Sequence, residues 1–187
     1  ARPDFTAAIE RLLPQVCARH VRLQPLQGVM PSIVVVAQGA WGTTAASIRS
    51  LSTSAHKVVL DDVERHLELC LRPPFFHRGE SRARLQVLVH ELLHIDVDHP
   101  TELDDDMRHA HTSQADVDAE AAAIVDEVLL QLEPVVLAPL GHDGEVRLRS
   151  WLHRPIADTV DRVFDDDDVF EGVVRLQTAP PFRTGWW

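Results

Sequence analysis

The chain has no tyrosine, one lysine (Lys57), two cysteines and no long apolar run. A helical membrane span needs about 20 consecutive apolar residues, so none is expected. Cys17 and Cys70 are far apart and lack metal-type spacing, which excludes a disulfide framework and a thiolate zinc site. Two unframed thiols suit a reducing compartment, and the start Ala1-Arg2-Pro3-Asp4-Phe5 does not read as a signal peptide, so a cytoplasmic location is expected. Without tyrosine, a side-chain donor to a reaction oxyanion must be His or Arg. Positive charge is scarce too: 18 Lys and Arg stand against 29 Asp and Glu, a formal net charge of −11. That balance argues against a nucleic-acid partner held by a basic face. The run Asp165–Asp168 lacks the alternating ligands of a calcium loop and reads as a solvated turn.

What is present is a chain of 187 residues with 45% hydrophobic content, enough for one core. Residues 4–20 carry apolar positions at helical spacing, with Pro14 as a point of kinking. Ile33–Ala37 and Lys57–Leu60 are β-branched runs and predict strands, with loop or irregular edge structure from Gln38 to Ser54. Trp41 in that loop is expected to pack on the core. Asp61 or Asp62 is expected to cap a helix reaching about Leu71, and Ser81 to cap the next one. A further helix is predicted from Thr112 or Ser113 to about Leu132. Strands are expected at 135–138, 145–148 and 169–176, and a short helix at 155–164. The aromatic stretch 180–187 is expected to dock on the body.

The most informative stretch is Val87-Leu88-Val89-His90-Glu91-Leu92-Leu93-His94-Ile95, a His-Glu-x-x-His pattern inside an apolar run. On a helix, His90 and His94 leave the same face and can share one Zn²⁺. Glu91 can then reach a water as general base. Two core histidines can also be hydrogen-bonded and inert. The apolar run, the strands before it and a carboxylate on the apolar side of the next helix favour the metal.

A catalytic zinc usually keeps three protein ligands. Val117, Ala121, Ile124, Val125, Val128 and Leu129 form one stripe, and at 100° per residue Asp118 falls within it. A carboxylate there is costly unless paired or bound to a cation, so Asp118 is the first candidate for third ligand. Glu120 is the second, because helix phase can slip by a residue. His99 is the third; it ligates only if the chain turns sharply after Ile95. His109 and His111 are candidate oxyanion donors.

These residues together resemble a minimal gluzincin-type zincin, similar to the ImmA/IrrE-like peptidases. The strand Val58-Val59-Leu60-Asp61, the His-Glu-x-x-His helix and the segment Asp118-Ala119-Glu120-Ala121-Ala122-Ala123-Ile124 carry the likeness, over roughly residues 30–134. Asp118 takes the family's acidic ligand position, and Ala122 stands where the family has Asn or Asp. The resemblance implies an α+β zincin-like fold with a small N-terminal sheet, a metal-motif helix and a ligand-bearing helix. The tail from Pro134 onward matches nothing in that family, and the chain is expected to form a domain at 1–133 with an extension, 134–187, packed on it. The activity implied is zinc-dependent hydrolysis of a protein or peptide substrate, lying extended along a strand edge such as that of 33–37. Two other readings remain: a YbeY-like metal-dependent endoribonuclease using His90, His94 and His99, and a non-catalytic zincin-like module that binds a partner protein.

Overall fold

The computed structural model describes residues 1–39, 42–51, 56–77, 79–104, 113–156 and 161–178. Helix α1 (Phe5–Cys17) is capped by Asp4, whose carboxylate accepts the Ala7 N–H at 3.0 Å. It runs through Pro14 and buries Phe5, Ile9, Leu12, Leu13 and Val16. A 3₁₀ segment (Gln24–Ser32) leads to strand β1 (Ile33–Ala37). Strands β2 (Ala46–Ser50), β3 (His56–Leu60), β4 (Val63–Glu64) and β5 (Leu67–Leu71) follow. After the short α2 (Pro73–Phe76) come α3 (Ser81–Leu92) and α4 (Gln114–Leu129). The remainder is α5 (Pro134–Leu137), a 3₁₀ turn (Ala138–Gly141), β6 (Gly144–Trp151), β7 (Arg162–Phe164) and β8 (Val169–Leu176). The fold is α+β. No helix among the described residues is long and apolar enough to cross a membrane.

The central sheet has the order β1-β5-β2, with β1 parallel and β2 antiparallel to β5. Both of its faces are covered, which is why β1 is a continuous apolar run rather than an alternating one. Ile33, Val35, Leu67, Leu69 and Leu71 face the core made with α1, α3 and α4. Val34, Val36 and Cys70 face the other way, against Val58, Leu60, Trp151 and Phe164. That second layer is the sheet β4-β3-β7, so the extension supplies a strand, β7, parallel to β3. The pair β6–β8 lies antiparallel over eight residues.

Several expectations are corrected. The stretch 61–71 is not a helix: Asp61 and Asp62 take φ of 53° and 60° and turn β3 directly into β4. Aspartate tolerates that left-handed conformation, which the two-residue hairpin requires. Leu67, Leu69 and Leu71 then alternate as a strand instead of recurring on one helical face. The loop expected over 38–54 contains β2. Residues 134–137 are a helix turn, because proline supplies a first helical residue readily. Residues 162–164 are a strand where a helix is predicted, and Asp168 is buried against Arg162 and His153 rather than solvated. Glu80, not Ser81, stands at the cap position of α3. Trp41 and residues 180–187 lie outside the described residues.

Glu68 is a carboxylate with no exposed surface, on the sheet face that meets the second layer. It accepts two bonds from Arg49, at 2.8 and 2.9 Å, one from Arg154 at 2.8 Å and one from Trp151 Nε1 at 2.6 Å. Burial alone raises its pKa, yet the two guanidinium groups hold it below the usual carboxylate range. Four donors on one buried anion tie β2, β5 and the extension together. Glu68→Ala leaves two guanidinium groups without their anion and is expected to cost about 3–5 kcal/mol of unfolding free energy, read by denaturant titration. A loss below about 1 kcal/mol would show that both arginines relax to solvent at little cost.

Candidate metal centre

Helix α3 presents its motif from a buried position. Leu85, Leu88, Val89 and Leu92 are fully covered, and His90, Glu91 and His94 are 7%, 8% and 9% exposed. The helix ends at Leu92, and a tighter turn, His94 N–H to Glu91 C=O at 3.1 Å, keeps His94 in phase with His90. The chain then forms a hairpin. Ile95 bridges Leu103, and Asp104 N–H donates to His94 C=O at 2.7 Å.

The two rings are 5.1 Å apart between centroids, and their Nε2 atoms approach to 3.3 Å. Two bonds of 2.0–2.1 Å meeting at a tetrahedral angle span about 3.3 Å between the ligand atoms. The pair therefore has the separation of two ligands on one zinc. Asp118 fixes which ring nitrogen carries the proton: its Oδ1 is 2.7 Å from His90 Nδ1. With Nδ1–H donating to the carboxylate, the Nε2 lone pair of His90 faces His94, the tautomer that binds metal.

Asp118 thus sits on the outer nitrogen of His90, not between the two Nε2 atoms. Its side chain is half-exposed on the cleft wall, at the edge of the stripe that buries Val117, Ala121 and Val125. Glu120 turns away and pairs with Arg22 at 3.3 Å. His99 is exposed on the hairpin, with Nδ1 3.2 Å from Asp96. His109 and His111 lie outside the described residues. Among those residues no group of three His, Cys, Asp or Glu side chains is placed to hold a metal ion. Gln114, which sequence reasoning missed, lines the same cleft one helical turn before Asp118. The spacing of four on α4 is its only trace in the sequence, and it becomes meaningful once Asp118 is seen on His90.

The cleft has a volume of about 880 Å³, with the β2 segment on one side and His90, Glu91, His94 and Asp118 in its lining. Arg72 N–H to Ala45 C=O and Leu51 N–H to His66 C=O set the phase of the β2–β5 ladder. By alternation, the peptide groups of Ala46 and Ile48 point away from β5, where no further strand pairs with β2 among the described residues. The backbone N–H of Ile48 faces the Glu91 carboxyl and favours its charged form. The edge of β1 named above is by contrast covered. Glu10 takes the Val35 N–H at 2.9 Å, Arg65 donates to Ile33 C=O at 2.8 Å, and Ser150 donates to Ala37 C=O at 2.5 Å.

Burial pushes the Glu91 carboxyl up to about 7, the Asp118 charge adding to the rise and the Ile48 N–H and Arg72 opposing it. A raised carboxyl pKa means the folded chain binds the proton more tightly than the unfolded chain. Its contribution to stability is complete below about pH 4.5 and is lost as pH rises through about 7. In chelator-treated protein, the Glu91→Gln variant should remove about 3 kcal/mol of that decline between those limits, measured by denaturant titration against pH. Parallel pH profiles for the two proteins would show that Glu91 titrates normally.

Comparison of the chain with family models, with curated proteins and with solved structures finds no match.

Proposed function

We propose that this chain is a zincin-like, metal-dependent peptidase. The observation that carries the reading is the pair of facing Nε2 atoms, 3.3 Å apart, with Glu91 beside them under an open strand edge. His90 and His94 would hold the metal, and Asp118 orients His90 from its outer nitrogen. A divalent metal held there supplies Lewis acidity, polarising a carbonyl and lowering the pKa of water.

The chain's own residues supply the rest. Glu91 lines the cleft with both histidines, so it can take a proton from water and later return it to a leaving amine. The outward peptide groups of Ala46 and the Ile48 C=O can pair with an extended peptide as an added strand, which recognises backbone before side chains. A cleft of about 880 Å³ has room for several residues of such a chain. The endoribonuclease reading needs a third histidine, but His99 sits on the surface against Asp96, and the net charge of −11 opposes a polyanion.

Glu91→Gln is expected to retain the metal content of the parent protein by elemental analysis while losing about 10²-fold or more of its metal-dependent cleavage of a peptide library. Undiminished cleavage by that variant, or a parent protein that takes up no metal, would overturn the assignment.

A further inference from the structure

Helices α3 and α4 pack antiparallel, and their contacts keep step. Arg82 meets Asp126 at 2.7 Å and His90 meets Asp118 at 2.7 Å. Each advance of four along α3 goes with a retreat of four along α4. Gln86 lies between these two contacts and also reaches α4, its amide donating to the Asp118 C=O at 3.4 Å. Carried past the end of α3 at Leu92, the same step would bring Gln114 to the side of His94. Gln114 is the first residue of α4, is exposed at the mouth of the cleft and lines it with His90, Glu91 and His94. Ser113 fixes that start by accepting the Asp116 N–H at 3.2 Å.

Building on the metallopeptidase reading, we infer that the side-chain amide oxygen of Gln114 is the third protein donor to the metal held by His90 and His94. No acidic or thiol side chain among the described residues takes that place. An amide oxygen is a neutral hard donor, of the kind that binds divalent ions through its carbonyl. Two imidazoles and one amide give a donor set without charge. Among the described residues, the acidic side chains that line the cleft then stand outside that set: Asp118 behind His90, and Glu91 toward β2. Such a set holds a divalent cation less tightly than one that includes a carboxylate, because no ligand neutralises the ion's charge. It also leaves that charge free to act on a bound substrate carbonyl.

The test uses Co²⁺ and Zn²⁺ with the full chain. Titration of the chelator-treated protein with Co²⁺ gives its stoichiometry and affinity, and the visible absorption bands report the atoms that ligate it. Gln114 is exposed, so Gln114→Ala and Gln114→Glu should both fold, which circular dichroism checks. Gln114→Ala is expected to weaken Zn²⁺ and Co²⁺ binding by about tenfold or more. Gln114→Glu is expected to tighten it by a similar factor, and both are expected to shift the Co²⁺ bands. Added charge alone can tighten binding in Gln114→Glu, so the bands decide. Identical bands in all three proteins overturn the role given to Gln114. If His94→Ala still abolishes binding in that case, the two-histidine site stands without it. A parent protein that binds neither ion overturns both readings.

Discussion

Asp118 Oδ1 and His90 Nδ1, 2.7 Å apart, join the two helices that form one wall of the cleft. That contact sets the tautomer of His90, the direction of its Nε2 lone pair and the facing of successive turns of α3 and α4. It exists only because both helices bury apolar stripes in one core: Leu85, Leu88, Val89 and Leu92 from α3 meet Val117, Ala121, Val125 and Val128 from α4. Burial of those stripes holds the rings steady, and a carboxylate at the stripe's edge supplies the polar partner a buried imidazole needs.

Charge inside the molecule is distributed to hold this wall against the sheet. Arg84, 2% exposed on α3, donates to four carbonyl oxygens, those of Phe75, Phe76, Leu140 and Gln177. Desolvation lowers its pKa, and the dense set of acceptors keeps it placed. It anchors the first turns of α3 to α2, to the 3₁₀ turn and to the end of β8. Gly141 packs closely at that junction: a Cβ there would lie 2.6 Å from Ser81 Oγ, which would have to rotate away. Arg65 does the same for the β3–β4 hairpin, with bonds to Leu60 and Ile33 carbonyls. On the opposite face of the sheet Glu68 gathers Arg49, Arg154 and Trp151. Each of these buried charges bonds to groups distant in sequence, so each fixes a relation between segments.

How far the chain could be read without coordinates varies by element. Helix α1, β1, β3, the motif helix and α4 follow from apolar period and caps, and Ser113 is the cap of α4 as its sequence suggests. The errors cluster where a local signal has two outcomes. An aspartate pair opens a helix or turns a hairpin; residues 61–62 turn one, because the strand Leu67–Leu71 has a buried place between β1 and β2 waiting for it. Strand β2 itself is short and polar, with Ser47, Arg49 and Ser50, and its strand character comes from pairing with β5.

Sequence alone determined that two imidazoles and a carboxylate share one stretch of helix, because a step of four along a helix is a local property of the backbone. It also determined that a carboxylate lies at the apolar side of α4. Only the tertiary structure decided what that carboxylate touches, which strand lies at the sheet edge beside Glu91, and that Gln114 lines one cleft with His94. Those depend on the antiparallel setting of two helices and on the register of β2 against β5. Both arise from packing between residues 17 to 44 positions apart, to which no local pattern is sensitive.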